Sequence, residues 1–319
     1  MLARIADSLF WIARYMERAE DTARILDVNY HMLLEQSRQS WRLRWDPLIA
    51  IVGERERFSA SYDEANAQTV LEFLAFREDN PSSIVQCVAK ARENARTIRE
   101  RISREMWEDL NSLYHQLRGI RAAEEIAVGP HRFCNIVKFG SHRFRGVTDA
   151  TLPHDEGWQF LRAGYALERA ETTARIVDIE YQYLIEGPAD LAPPDHHQWT
   201  AILKSVGAFE AYRRQYLGRI TPEGVGEMLI LDAQHPRSIR FNMTELQSAL
   251  RAISGTGAGA YANEAERLAG RVLEGLRYHR IHEIFTQGLH GYLTGVQAAC
   301  RGIGVEIGRS YFYYTPVLA

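Results

Sequence analysis

At 319 residues the chain is long for one compact core and short for three, which leaves one large domain or two fused halves. Hydrophobic residues at 46% and charged residues at 25% are ordinary for a folded protein, and a formal net charge of -3 gives no overall pull toward nucleic acid or an anionic membrane. The three cysteines, Cys87, Cys134 and Cys300, are too few and scattered for a disulfide framework and lack the paired spacing of a zinc site.

The opening residues do not read as a secretion signal, because Asp7, Arg14 and Glu17 interrupt the apolar positions from the start. No apolar run approaches the ~20 residues that span a bilayer, so the reducing cytoplasm is the expected home. Helical spacing begins at once. Between Ala3 and Glu35, Leu9, Ile12, Met16, Ala19, Ala23, Leu26, Tyr30 and Leu33 recur at steps of three and four. Pro81, Ser82 and Ser83 open a second segment, with either serine as N-cap, whose stripe runs Ile84, Val88, Ala91, Ala95, Ile98, Ile102, Met106, Leu110, Leu113 and Leu117. That pattern predicts a single helix of ~35 residues, about 50 Å long. Residues 131–145 interleave His131, Arg132, Lys138, His142, Arg143 and Arg145 with Phe133, Phe139 and Phe144. Single-stranded nucleic acid binding uses such mixtures, but so short a stretch reads better as a loop packing its aromatics on a bundle. Gly187 to Pro194 reads as another loop, and a last long helical pattern runs from Asn263 to about Ala299. With no hairpin signal and no alternating strand, the fold class is all-α.

Internal repetition is the strongest signal. Residues 17–35 read ERAEDTARILDVNYHMLLE and residues 168–186 read ERAETTARIVDIEYQYLIE, with twelve of nineteen positions identical. Downstream, Trp45 corresponds to Trp199, Gly53 to Gly207, and Pro81, Ser83 and Ile84 to Pro236, Ser238 and Ile239. The expected architecture is one domain made of two tandem repeats, about 1–150 and 151–319, closing as a pseudo-twofold bundle of long antiparallel helices. The repeated first helix would lie near the axis.

At 100° per residue, Glu20 and Asp27 fall at the edge of the apolar stripe of that helix, with Glu17 and Arg24 just beyond and Arg18 set apart. Glu168, Glu171, Arg175 and Asp178 repeat the arrangement, again with Arg169 apart. Ile25 and Val28 make the opposite side partly apolar, so the helix is expected to be buried on several sides and its charges to be paired. Glu20 to Arg24 and Arg24 to Asp27 have pairing spacings. Two readings follow. Glu17, Arg18, Glu20, Arg24, Glu168, Arg169, Glu171 and Arg175 form either a structural salt-bridge ladder or a polar site between the copies. Arg92, Arg96 and Arg99 form a further candidate anion-binding stripe beside two acidic residues, Glu93 and Glu100, with no counterpart after Pro236. His279, His282, Glu283 and His290 lack the paired Glu-x-x-His spacing of bundle metal sites, so no metal is assigned, and no nucleotide or nucleophile motif implies a cofactor.

Taken together, SLFWIARYMERAEDTAR at 8–24, NPSSIVQCVAKARENARTIRERIS at 80–103, SHRFRGVTDATLPHDEGWQFLRAGYALERAETTAR at 141–175, HPRSIRF at 235–241 and IFTQGLHGYL at 284–293 resemble the alpha-E family, a bacterial all-helical group named for its Glu-Arg motif. The resemblance spans the whole chain. It implies the company of a circularly permuted ATP-grasp protein, often with a transglutaminase-like peptidase, and so an accessory or co-catalytic role in forming amide bonds of a peptide or peptide-like compound. The competing expectation is an acyl- or peptidyl-transferase-like enzyme using the Glu/Arg residues; single-stranded RNA binding is a lesser one. The second copy has Tyr165 where the first has Arg14, which predicts a less charged second half and a milder effect of neutralising Glu171 than Glu20.

Overall fold

The computed structural model describes residues 1–34, 42–185, 196–216, 218–257 and 259–313, and the regular elements among them are all helical. The expected loop at Gly187 to Pro194 lies outside the described residues. The first half holds α1 (Ala3–Leu34), α2 (Arg42–Val52), α3 (Arg55–Ser59), α4 (Ala67–Leu71), α5 (Ile84–Thr97), α6 (Arg104–Arg118), α7 (Ala122–Val128) and α8 (His131–Thr151). The second holds α9 (Glu156–Ile185), α10 (His196–Ser205), α11 (Phe209–Gln215), α12 (Pro222–Gly226), α13 (Ile239–Ser254), α14 (Glu264–Tyr278), α15 (Ile281–Gln287) and α16 (Leu289–Ile307). The order recurs down to a π-helical turn after α4 (Glu72–Phe76) and after α12 (Glu227–Leu231).

Local chemistry sets the corresponding ends. Ser83 and Ser238, in extended backbone, accept hydrogen bonds from the Gln86 and Phe241 amides and start α5 and α13. Gly53 and Gly207 close the helices before them at φ of +80° and +67°, a left-handed conformation that glycine enters at little cost.

Two expected long helices are interrupted. The run from Ile84 breaks after Thr97 into a 3-10 turn (Arg99–Arg101), and Ser103 caps a new helix by accepting from the Met106 amide at 3.1 Å. The apolar stripe conceals the break because Ile98 and Met106, on either side, are both fully buried. The pattern from Asn263 likewise divides into α14, α15 and α16, with Gly288 at φ +105° between the last two. Residues 131–145 form part of helix α8 instead of the expected loop; Phe133 and Phe144 are buried and Phe139 is exposed.

Helices α1 and α9 pack against each other at the centre, each also covered by its own half: α1 by α5 and α8, α9 by α13 and α16. Long helices run antiparallel where α8 lies on α1, since Asp27 meets His131 while Glu20 meets His142. The central pair instead runs parallel, with Met1 beside Glu156, Arg14 beside Glu168 and Arg18 beside Glu168. Gly164 permits their close approach, because a Cβ there would overlap the Phe10 carbonyl and the Ala13 methyl. Each central helix also crosses to the other half, α1 touching α10 and α9 touching α2.

Candidate functional site

Burial of α1 and α9 on several sides forces their charged residues to find partners inside. The two Glu-Arg pairs do so reciprocally. Arg169 donates to Glu17 through Nε and Nη2 at 2.6 and 2.7 Å, and Arg18 donates to Glu168 through the same atoms at 2.6 and 3.1 Å. These are fork-to-fork pairs, the geometry that a planar guanidinium offers a carboxylate. The arginines that a helical wheel sets apart are therefore the ones that join the halves.

Glu20 accepts from Arg24 four residues on, as the spacing predicts; Asp27, however, is held by His131 at 2.8 Å and Lys138 at 2.5 Å rather than by Arg24. Arg24 and Arg175 extend to the neighbouring half. Arg175 donates to the Ile51 carbonyl at 2.9 Å beside Gly53, and a Cβ on Gly207 would lie 3.1 Å from Arg24 Nη1. The absent side chain at each glycine leaves room for a guanidinium.

Around α1, Arg237 reaches from the loop before α13 into three carboxylates: Glu17 at 2.7 Å, Glu20 at 2.6 Å, and Asp21. Burial disfavours its charge, but Glu17, Asp21 and Glu20 outweigh that and raise its pKa above the usual arginine value. Burial likewise works against ionised Glu20, yet Arg237, His142 and Arg24 hold its pKa far below the usual carboxylate range. Asp21 behaves oppositely. Burial pushes its pKa up to about 7 against the pull of Arg237, with Glu17 and Glu20 adding repulsion, and its Oδ2 is buried without a hydrogen-bond partner among the described residues.

Around α9 the extra cation is Arg14, which donates to Glu168 at 2.6 Å and Glu171 at 3.3 Å. Burial opposes the charge of Glu168, but Arg14 and Arg18 bring its pKa down to about 2. Arg175 completes the set on Glu171 at 2.7 Å. The expectation drawn from Tyr165 is corrected here: Arg14 itself crosses to the second copy's carboxylates, while Tyr165 sits under Arg145 on the side of Glu17 and Glu20. The second half is not depleted of arginine.

The network opens on one side into a cleft of about 460 Å³ whose walls include Arg18, Asp21, Glu168, Arg175 and Arg301. Arg301 is exposed and has no carboxylate within ion-pair distance among the described residues. A second cleft of about 550 Å³ is lined by His142, Arg145, Asp149, Arg162 and Tyr165.

The other sequence candidates do not converge on these clefts. Arg92 donates to Asn111 and lies over Trp107 and Tyr114, Arg96 pairs with Glu93, and Arg99 lies over Trp107, so the stripe is a surface of α5 and α6 with partners of its own. His279 bonds the Gly275 carbonyl, Glu283 accepts from the Arg280 amide and His290 pairs with Asp178. Among the described residues one group of potential metal ligands does come together, Asp27, His31 and His131. Sequence reasoning missed Asp21 and Arg237 as members of the network and Arg301 as a wall of its cleft, and it assigned the charge of Arg14 to the wrong half. For Arg237 a signal existed, since HPRSI places a charge where NPSSI has Ser82 in an otherwise repeated loop.

Residues 1–312 match the Alpha-E family, described as a predicted alpha-helical domain with a conserved ER motif. Uncharacterized proteins of Mycobacterium bovis and Mycobacterium tuberculosis are 25% identical over 330 aligned positions, covering 94% of this chain. The chain spans about a third of those relatives' length, 36%. No solved structure matches.

Proposed function

The chain belongs to the Alpha-E family, and on that premise we propose that it is the ligand-holding partner of an ATP-grasp amide-bond-forming ligase acting on a peptide or peptide-like compound. The cleft beside the Glu-Arg network carries this reading. Arg18, Arg175 and Arg301 give it an oxyanion-binding wall, and Arg301 brings a guanidinium that no carboxylate neutralises among the described residues. A carboxylate or phosphate on the compound being joined suits that wall. The Glu-Arg residues themselves support a holding role over catalysis. Glu17 is 0% exposed and doubly paired, and a carboxylate held at about 2, as Glu168 is, makes a poor proton acceptor at neutral pH. The mycobacterial relatives carry the matched part inside longer chains, so there this unit is joined to further sequence. A transglutaminase-like peptidase is a second partner of the same proposed pathway.

One observation favours an enzyme as the second reading. Asp21 lines the cleft with a pKa near 7, the range suited to proton transfer, and would be the acid–base group in place of the paired glutamates. RNA binding loses its motivation, because Arg132, Lys138, His142 and Arg143 are each engaged by a carboxylate.

Co-expression with a circularly permuted ATP-grasp protein, size-exclusion chromatography and ATP-dependent phosphate release test the proposal. The expected result is co-elution at micromolar concentration and a rate that Arg301→Glu lowers at least about tenfold without shifting the melt. Separate elution with a rate indifferent to this chain overturns it. A reaction catalysed by this chain alone and lost in Asp21→Asn would establish the second reading instead.

A further inference from the structure

We propose that Asp27, His31 and His131 form a zinc-binding site present in the first half only. Three ligand atoms converge where α8 begins alongside the last turns of α1. Asp27 Oδ1 lies 2.8 Å from His131 Nδ1 and 3.4 Å from His31 Nε2, and the two imidazole nitrogens are 3.0 Å apart. Bonds of ~2.0–2.1 Å to a tetrahedral zinc ion place neighbouring ligands about 3.3 Å apart, so this triangle needs only small movement to become one face of such a site. Two imidazoles and one carboxylate are ligands that zinc accepts, and three protein ligands leave a fourth position for water or a bound molecule. Both imidazoles are about half exposed, at 50% and 57%, which gives the ion a path in.

The groups behind the ligands are also suited to the role. Lys138 donates to Asp27 Oδ2 at 2.5 Å, fixing the carboxylate with Oδ1 turned to the histidines. The Asn135 amide meets His131 Nε2 at 2.9 Å and, with its oxygen turned inward, accepts the proton that ring carries once Nδ1 holds zinc. The Lys138 ammonium repels a cation and weakens the site.

The second half supplies a natural control. Asp178 accepts from His290 Nδ1 at 2.7 Å and from Gln297 at 3.0 Å, matching His131 and Lys138, but Gln182 stands where the first half has His31. The repeated Asp–His contact holds α8 on α1 and α16 on α9. His31 adds a second imidazole to one copy of it.

Calorimetric titration of the untagged full chain with zinc chloride tests the assignment. Saturation at one zinc per chain at micromolar zinc is expected, weakened at least about tenfold by His31→Gln and left unchanged by His290→Gln. Lys138→Gln should tighten binding by removing the repulsive charge. A thermal melt of His31→Gln matching wild type shows that the fold survives the change at this half-exposed position. No saturable binding in wild type, or binding that His31→Gln leaves intact, overturns the proposal.

Discussion

The two Glu-Arg helices carry nearly the same residues and sit in different electrostatic surroundings. Around α1, Glu17, Glu20 and Asp21 meet Arg169, Arg24 and Arg237; around α9, Glu168 and Glu171 meet Arg14, Arg18 and Arg175. The differences compensate across the interface. Tyr165 replaces Arg14 and Ser82 replaces Arg237, so each half supplies its extra arginine to the other half's carboxylates. Thr172 in place of Asp21 then leaves the α9 side with the more positive balance, and the Arg301 cleft lies between the two helices, with Asp21 on one wall and Thr172 and Arg175 on the other. Copies of a helix can diverge provided every buried charge keeps a partner, and here that requirement acts on the interface between them.

Removing one unmatched arginine should separate the halves most strongly. Arg237→Ala leaves buried Asp21 without an ion-pair partner among the described residues, removes one partner each from Glu17 and Glu20, and should lower the unfolding free energy by about 3–5 kcal/mol in urea melts. Ser82→Ala, at the corresponding loop position, loses one hydrogen bond to Glu54 and should cost about 1 kcal/mol. Similar losses at both positions would mean that Arg237 is not the centre of its cluster.

The next comparison is Glu20→Gln with Glu171→Gln. Glu20 accepts from Arg24, Arg237 and His142, whereas Glu171 has Arg175 at 2.7 Å and a longer contact to Arg14. The expected losses are about 3 kcal/mol and about 1.5 kcal/mol. Glu20 remains the more sensitive position, because of its number of partners and not because Tyr165 dilutes the other half. Equal losses in paired thermal melts would remove the distinction.

Asp21 should set the halves apart in pH dependence. Its folded pKa lies above the unfolded value, so its contribution to stability is fully present below about pH 4 and is lost as pH rises toward 7. Glu168 has the opposite sign: its contribution is present above the ordinary carboxylate range and disappears as pH falls toward 2. Asp21→Asn should therefore gain on wild type as pH rises from 4 to 7, while Glu168→Gln should show its full loss at neutral pH and converge with wild type in acid. Melts across this range in which the Asp21→Asn difference stays flat would show that Asp21 does not titrate there.

The smallest expected difference is between the two glycines. Gly207→Ala and Gly53→Ala both place a side chain at positive φ, costing about 1 kcal/mol. Gly207→Ala must also displace Arg24, whose Nη1 would lie 3.1 Å from the new carbon, against 3.6 Å from Arg175 at Gly53. A further few tenths of a kcal/mol at Gly207 is expected in denaturant melts.

Much of the local structure was legible in the sequence. Periodicity marked the helices, Ser83 and Ser238 marked their starts, and the recurrence of Glu17, Arg18, Glu20 and Arg24 as Glu168, Arg169, Glu171 and Arg175 marked the residues that the two central helices share. These are effects of single side chains or of one helix face, and they leave a trace at short spacing. The breaks at Ile98 and Gly288 left little, because the buried stripe stays in phase across them. Which charge meets which was decided by tertiary structure. Glu17 finds Arg169 across 152 positions, Glu20 finds Arg237 across 217, and Asp27 finds His131 across 104. Helical spacing shows that a charge is buried and therefore needs a partner, but the partner is fixed by the parallel packing of α1 on α9 and by the loops and helices that this packing brings over them.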